Sequence, residues 1–197
     1  MTAVRLPAPQ RRRQLLDRAL RVFSERGFHA TSMNDVAEAA GVTKPVLYQH
    51  FPSKRDLYLE LLRDVGRQLT ATITAATTAE TAVQAKTIAG LAAYFHFVQE
   101  QQAAFKLLFG SGSRRDESFA AAVRQVEDEI GATIAGLLDP HIDPGRRLVI
   151  AHGILGMAEG TCRLWLGKGL DVDPEELAGQ VGELLYGGLR GLDRSGG

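Results

Sequence analysis

The sequence predicts an all-α chain, with a small N-terminal helical part and a larger helical remainder. Of its 197 residues, 45% are apolar and 23% charged, enough to fill a core and too ordinary in charge for a disordered chain. Ala, Leu, Arg, Glu and Gln are plentiful while strand formers are sparse. Apolar residues recur three and four apart, in runs separated by Gly-, Pro- and Asp-containing breaks.

The elements follow in order. Pro7 and Pro9 end a short arm, and a helix begins near Gln10 and runs to Arg26. Leu15, Leu16, Ala19, Leu20 and Phe23 form its apolar stripe, and Gly27 is its stop. Ser32 is an N-cap with Asp35 three residues on, and Met33, Val36, Ala37 and Ala40 keep helical spacing until Gly41 breaks it. A second short helix starts with Thr43 as cap and Pro45 in its first turn, where a missing N–H costs little, and ends near Phe51-Pro52. Ser53 and Asp56 open a long helix with Tyr58, Leu61, Leu62, Val65, Leu69 and Ile73 on one face. No Gly or Pro cluster separates it from the short pair, so it serves both parts as a mechanical link. Further helices are expected at 81–100, 102–109, 116–138, 144–166 and 174–192. The breaks between them are Gly110 to Ser113, Asp139 to Pro144 and Gly167 to Pro174, and the tail from Arg194 is expected to fray.

Net charge is zero but unevenly placed. Residues 1–63 hold 11 Lys and Arg against 6 Asp and Glu, and the remainder holds 12 against 17. Only the first part suits a polyanion, and the acidic remainder is repelled from one. The lone cysteine, Cys162, forbids an intrachain disulfide, and no Cys/His cluster has metal spacing, so no metal or cofactor is expected. Met1 to Gln10 lacks the apolar stretch of a signal peptide, and no apolar run reaches the roughly 18 residues of a membrane span. A cytoplasmic protein is the expectation.

Catalytic signatures are missing. There is no His-Glu-x-x-His, Gly-x-Ser-x-Gly or P-loop, and the Gly110–Ser113 stretch lacks a preceding strand. Glu127, Asp128 and Glu129 are sequence neighbours, which do not face one another on a helix. The chain is therefore not expected to be an enzyme, and Cys162 reads as a small buried apolar residue.

Two short helices joined by a Gly-containing turn fit the helix-turn-helix scheme. Ala37, Ala39 and Ala40 let the second helix cross close, and Leu47 and Phe51 face inward. Pro45, Val46, Tyr48 and Gln49 then point outward, and Thr43 and Lys44 sit at a helix N-terminus that favours phosphate. The stretch Thr31-Ser-Met-Asn-Asp-Val-Ala-Glu-Ala-Ala-Gly-Val-Thr-Lys-Pro-Val-Leu-Tyr-Gln-His-Phe51, followed by Ser53-Lys54-Arg55-Asp56-Leu57, resembles the DNA-binding signature of the TetR (tetracycline-repressor-like) family. Ala19, Phe23, Gly27 and Thr31 fall where that family's first helix and turn would place them.

The resemblance implies a TetR-type helix-turn-helix domain over residues 9–69 and an effector-binding and dimerisation domain over 70–197. It implies that Ser32 touches a phosphate and that Thr43, Lys44, Pro45 and Val46 lie nearest the base edges. Tyr48, His50 and Lys54 would grip the DNA backbone. Lys44 suits guanine O6 or N7, and the Val46 methyls suit a thymine methyl. Many relatives carry Gly and then Thr or another small residue where this chain has Pro45 and Val46. The run Arg11 to Arg13 reads more as a solvated face than as a groove-reaching arm. The partners implied are double-stranded operator DNA and a second copy of the chain, with recognition helices in successive major grooves about 34 Å apart.

The family also implies a repressor, released from a palindromic operator when a small molecule shifts the long helix. A hydrophobic or amphipathic effector would suit a lining drawn from Leu62, Val65, Leu69, Phe95, Phe105, Phe109, Val123, Val126 and Met157, which could equally be a filled core. His96, Gln101, Arg124, Glu127, His152 and Thr161 are the polar groups available to orient it. Gly153, Gly156 and Gly160 make a flat strip on one helix, and the last helix combines glycines with an apolar stripe that includes Val181 and Leu185. Together they read as a dimer face, or as tight packing within one subunit. Two other functions stand beside this one. An architectural or partner-recruiting DNA binder would need a filled C-terminal core, and an enzyme with a vestigial N-terminal motif would need a polar cleft.

Overall fold

The computed structural model describes residues 7–110 and 116–193. Most of the Gly110–Ser113 break and the tail from Arg194 lie outside them. The described residues form α1 (Ala8–Ala30), α2 (Met33–Ala39), α3 (Lys44–His50), α4 (Lys54–Thr78), α5 (Val83–Glu100), α6 (Gln102–Phe109), α7 (Glu117–Leu137), α8 (Pro144–Lys168) and α9 (Pro174–Asp193). No strand occurs among them. The expected helices appear in the expected order. Gly27 takes φ 76° and ψ 168°, which is not helical, so the long regular run of α1 breaks there as expected and a short further turn carries the element to Ala30. A positive φ of this sort is open to glycine at no steric cost. Thr31 then ends the element, its hydroxyl donating to the Gly27 carbonyl at 2.8 Å.

The helices sort into two compact units. The first contains the described residues of Met1–Val65 and Ala103–Val123, and the second those of Gly66–Gln102 and Arg124–Gly197. Besides the N-terminal helices, the first unit therefore includes α6 and the opening turns of α7. Its core is built from Leu15, Leu16, Ala19 and Phe23 of α1, Leu47 and Phe51, and Leu57, Tyr58 and Leu61 of α4, all buried. Phe119 of α7 completes an aromatic cluster, with its ring 4.7 Å from Phe28 and 4.6 Å from Tyr58. Arg55 lies over that ring at 4.9 Å and donates to both oxygens of Asp116, at 3.0 and 3.1 Å. The Asp116 carboxylate also accepts from the Ser118 hydroxyl and from the backbone N–H of Ser118 and Phe119, which starts α7. Arg55 first, and then Ser118, hold the Asp116 carboxyl down to about 2.

In the second unit α5 packs chiefly against α9 and also against α8. Close approach is possible because Gly182 has no side chain: a Cβ there would lie 2.9 Å from Ile88 Cγ1. Gly66 does the same where α4 meets Val126 of α7, at 2.5 Å. Phe95 and Trp165 are buried, with ring centroids 6.4 Å apart. Cys162 is buried too, and burial alone pushes its thiol up to about 12. It behaves as a small core residue and not as a reactive thiol. No helix among the described residues is long and apolar enough to cross a membrane.

Candidate nucleic-acid interface and effector cavity

The helix pair α2–α3 is set up locally. The Ser32 hydroxyl oxygen accepts from the Asp35 N–H at 3.2 Å, and the Asp35 carboxylate accepts from both the N–H and the hydroxyl of Ser32 at 2.7 Å. This is a complete capping box. The Ser32 hydrogen bonds, with Arg26 at 3.4 Å adding to them, keep the Asp35 carboxyl below its ordinary range. Gly41 turns the chain with φ 65°, and the Val42 N–H closes the turn on the Ala37 carbonyl at 3.0 Å. Ala37 and Ala40 are buried. Thr43 caps α3 through its backbone and makes no side-chain hydrogen bond to the helix, and Pro45 occupies the first turn.

The outward face of α3 is largely as its wheel predicts. Leu47 and Phe51 are buried, while Lys44, Pro45, Tyr48 and Gln49 are exposed, Tyr48 at 46%. Val46 and His50 are half-buried. Ser32, Lys44, Tyr48 and Lys54 come together around one surface concavity, which His29 and Asn34 also line. Those last two were not singled out from the sequence. Asn34 is exposed in the first turn of α2, and a wheel of that helix would have marked it.

Lys54 has a second task. Its ammonium donates to the carbonyls of Phe28 and Thr31, each at 2.8 Å, and sits 4.3 Å from the centre of the Phe28 ring. Two of its three protons thus tie the start of α4 to the end of α1, leaving one for a phosphate. The arginine run is likewise engaged. Arg12 pairs with Glu60 at 3.3 Å, and Arg13 with Asp17 and Asp64 at 3.0 and 2.9 Å. Both brace α1 against α4.

The second unit contains a cavity. Ile73 of α4, Leu91 and Tyr94 of α5, Ile134 and Leu137 of α7, and Ile154, Leu155 and Ala158 of α8 form its mainly apolar wall, with Lys86 and Thr87 as polar members. Its volume is about 50 Å³ for the centres of water-sized molecules, room for water but well below a drug-sized ligand pocket of roughly 300 Å³ or more. None of the nine residues expected as lining stands in this wall. Leu62, Val65, Phe105, Phe109 and Val123 are buried in the first unit. Leu69, Phe95 and Val126 are buried in the second, and Met157 is half-buried there.

On α8, Gly153, Gly156 and Gly160 are exposed, and a Cβ on any of them would meet nothing within 4 Å. Val149 and Leu164, at 74% and 56% exposed, extend the same face by helical spacing. On α9 the expected stripe divides. Leu185 is buried within its own subunit and Val181 is half-buried, while Leu184 is 66% exposed.

A short helix pair with a tight glycine turn, showing a basic, hydroxyl-bearing face beside a capped helix start, defines a helix-turn-helix DNA-binding protein. The chain belongs to the TetR family. The family profile described as "Bacterial regulatory proteins, tetR family" matches residues 15–61, and "Tetracyclin repressor-like, C-terminal domain" matches residues 83–187. The HTH-type transcriptional activator FasR of Mycolicibacterium smegmatis is 32% identical over 187 residues, 94% of this chain and 85% of that protein. A TetR-like regulator from Rhodococcus sp. RHA1 superposes with a TM-score of 0.77 at 26% identity, covering 95% of this chain and 100% of that one. FadR of Bacillus subtilis, solved in complex with stearoyl-CoA, shares the fold at a TM-score of 0.76 and 17% identity, over 88% of this chain and 96% of that one. The protein is thus a transcriptional regulator of TetR type.

Proposed function

We propose that this chain binds a palindromic operator as a homodimer and is released from it by a hydrophobic or amphipathic small molecule entering the cavity of the second unit. Thr43, Lys44, Pro45 and Val46 lie nearest the base edges, and Ser32, Tyr48, His50 and Lys54 hold the phosphates. The uncovered strip of α8 with Leu184 of α9 is the dimer face. One observation above all supports effector control. The unbroken helix α4 carries Lys54 in its first turn and Ile73 in the cavity wall. A ligand larger than the cavity must part the wall helices, and so binds a widened state better than the closed one. That difference in affinity is what a ligand needs to shift a conformational equilibrium.

The sign of regulation follows from where the operator lies relative to the promoter. Blocking the polymerase gives repression, the family's commoner outcome, and holding it gives activation, as the name of the FasR relative records. The wall's apolar chemistry suits a chain-like lipid, and the FadR of the same fold was solved with stearoyl-CoA. Native mass spectrometry of protein purified from its host tests the proposal. A retained apolar molecule, whose addition to stripped protein lowers operator affinity, is the expected result. A ligand-free mass, with operator affinity indifferent to host lipid extract, favours instead an architectural or partner-recruiting binder.

A further inference from the structure

Tyr94 is out of place in the cavity wall. It is 2% exposed and its ring lies edge-on to Phe95, 5.9 Å between centroids. Its hydroxyl is buried with no hydrogen-bond partner among the described residues. A buried hydroxyl without a partner is destabilising, and phenylalanine would fill the same space without that penalty. The other polar members of the wall differ. The Thr87 hydroxyl donates to the Val83 carbonyl of its own helix at 2.8 Å, and Lys86 is half-buried with solvent within reach.

We propose that the Tyr94 hydroxyl is the polar anchor of the effector site, donating a hydrogen bond to a neutral carbonyl oxygen of an otherwise apolar, chain-like ligand. The proposal rests on the reading that the effector enters this cavity. Burial holds the phenol far above its ordinary range, so it remains a donor at physiological pH. Arg163 and Glu127, of opposite charge, also act on the phenol, and a neutral ester, thioester or ketone oxygen accepts its proton without setting a further buried charge beside Glu127. Tyr94 is then what gives the site a preference for carbonyl-bearing chains over plain hydrocarbons, since an unpaired buried group discriminates strongly against a ligand that cannot satisfy it.

Two measurements on the full chain and its Tyr94→Phe variant test this. The first needs no ligand: the variant is expected to melt at the same temperature as the wild type or higher, and a lower melting temperature overturns the proposal by showing that the hydroxyl already has a partner. The second titrates 2-undecanone and n-undecane, read by the fluorescence of Trp165, the chain's single tryptophan, which packs on Phe95 next to Tyr94. The variant is expected to bind the ketone about three- to tenfold more weakly than the wild type and the hydrocarbon no more weakly. A ketone preference unchanged in the variant, or absent from the wild type, overturns the anchor and leaves the effector reading standing. Failure of both probes to bind the wild type removes the effector reading, and the anchor with it.

Discussion

Replacing Phe119 by alanine tests how the first unit is held together. Phe119 lies far along the chain from the helix-turn-helix, yet its ring is buried against Phe28 and Tyr58, under the Arg55 guanidinium. Truncating a buried phenylalanine costs about 3–5 kcal/mol in transfer and cavity terms. The two ring contacts and the cation–π contact are each worth about 0.5–1.5 kcal/mol and fall within that range. For a chain of this size about 2–4 °C is lost per kcal/mol, so melting should fall by about 6–20 °C. Urea unfolding followed by far-UV circular dichroism gives the free energy, and operator titration gives the consequence for binding. Loosening Phe28 and Tyr58 disturbs the carbonyls that hold Lys54, so operator affinity should drop as well. A cost below about 1 kcal/mol, typical of a surface site, would refute the assignment of the α7 start to the DNA-binding unit.

Three further outcomes are expected. Lys54→Met should cost about 2–3 kcal/mol of stability without any DNA present, because it strips a charged donor from the Phe28 and Thr31 carbonyls; urea unfolding that leaves stability unchanged would leave Lys54 only a DNA contact. The Asp116 carboxyl is held at about 2 in the folded chain, below the ordinary 3.8 of an aspartate, so its contribution is complete above that ordinary value and is lost as pH falls through the folded one. Asp116→Asn should therefore flatten the loss of stability between about pH 4 and pH 2, measured by thermal melts across that window. Gly156→Leu should give a folded monomer by sedimentation, since a side chain at that position meets nothing within its own subunit; an intact dimer would move the interface elsewhere.

The helices were legible because each leaves a local mark: the Ser32–Asp35 and Ser53–Asp56 capping pairs, the three- and four-residue apolar spacing, and Gly41 between α2 and α3. The faces of α3 followed from the same arithmetic. Gly27 was readable as the break in α1, but the short turn beyond it to Ala30 was not, because its carbonyls are held by the Thr31 hydroxyl and by Lys54 from α4. The wall of the cavity in the second unit was not legible from the sequence. Phe95 and Ile73 are alike in apolarity, and only the packing of α5 on α9 and of α7 near α8 decides which of them borders open space. Nothing in the sequence sets Tyr94 apart from the other large residues of its helix, since the missing partner of its hydroxyl is a fact of packing. The place of Phe119 in the first unit was hidden for the same reason. Its partners lie some sixty and ninety positions away, beyond the reach of any local periodicity.

DNA recognition through the exposed face of α3 is tested most directly by fluorescence anisotropy, using duplexes tiled across the promoter region of the chain's own gene. The wild type should bind one palindromic segment with affinity that falls steeply as salt rises. Lys44→Ala and Tyr48→Ala should each weaken that binding by about 1–3 kcal/mol, roughly 5- to 150-fold. Wild-type affinity in both variants, with the protein folded and dimeric, would contradict the account.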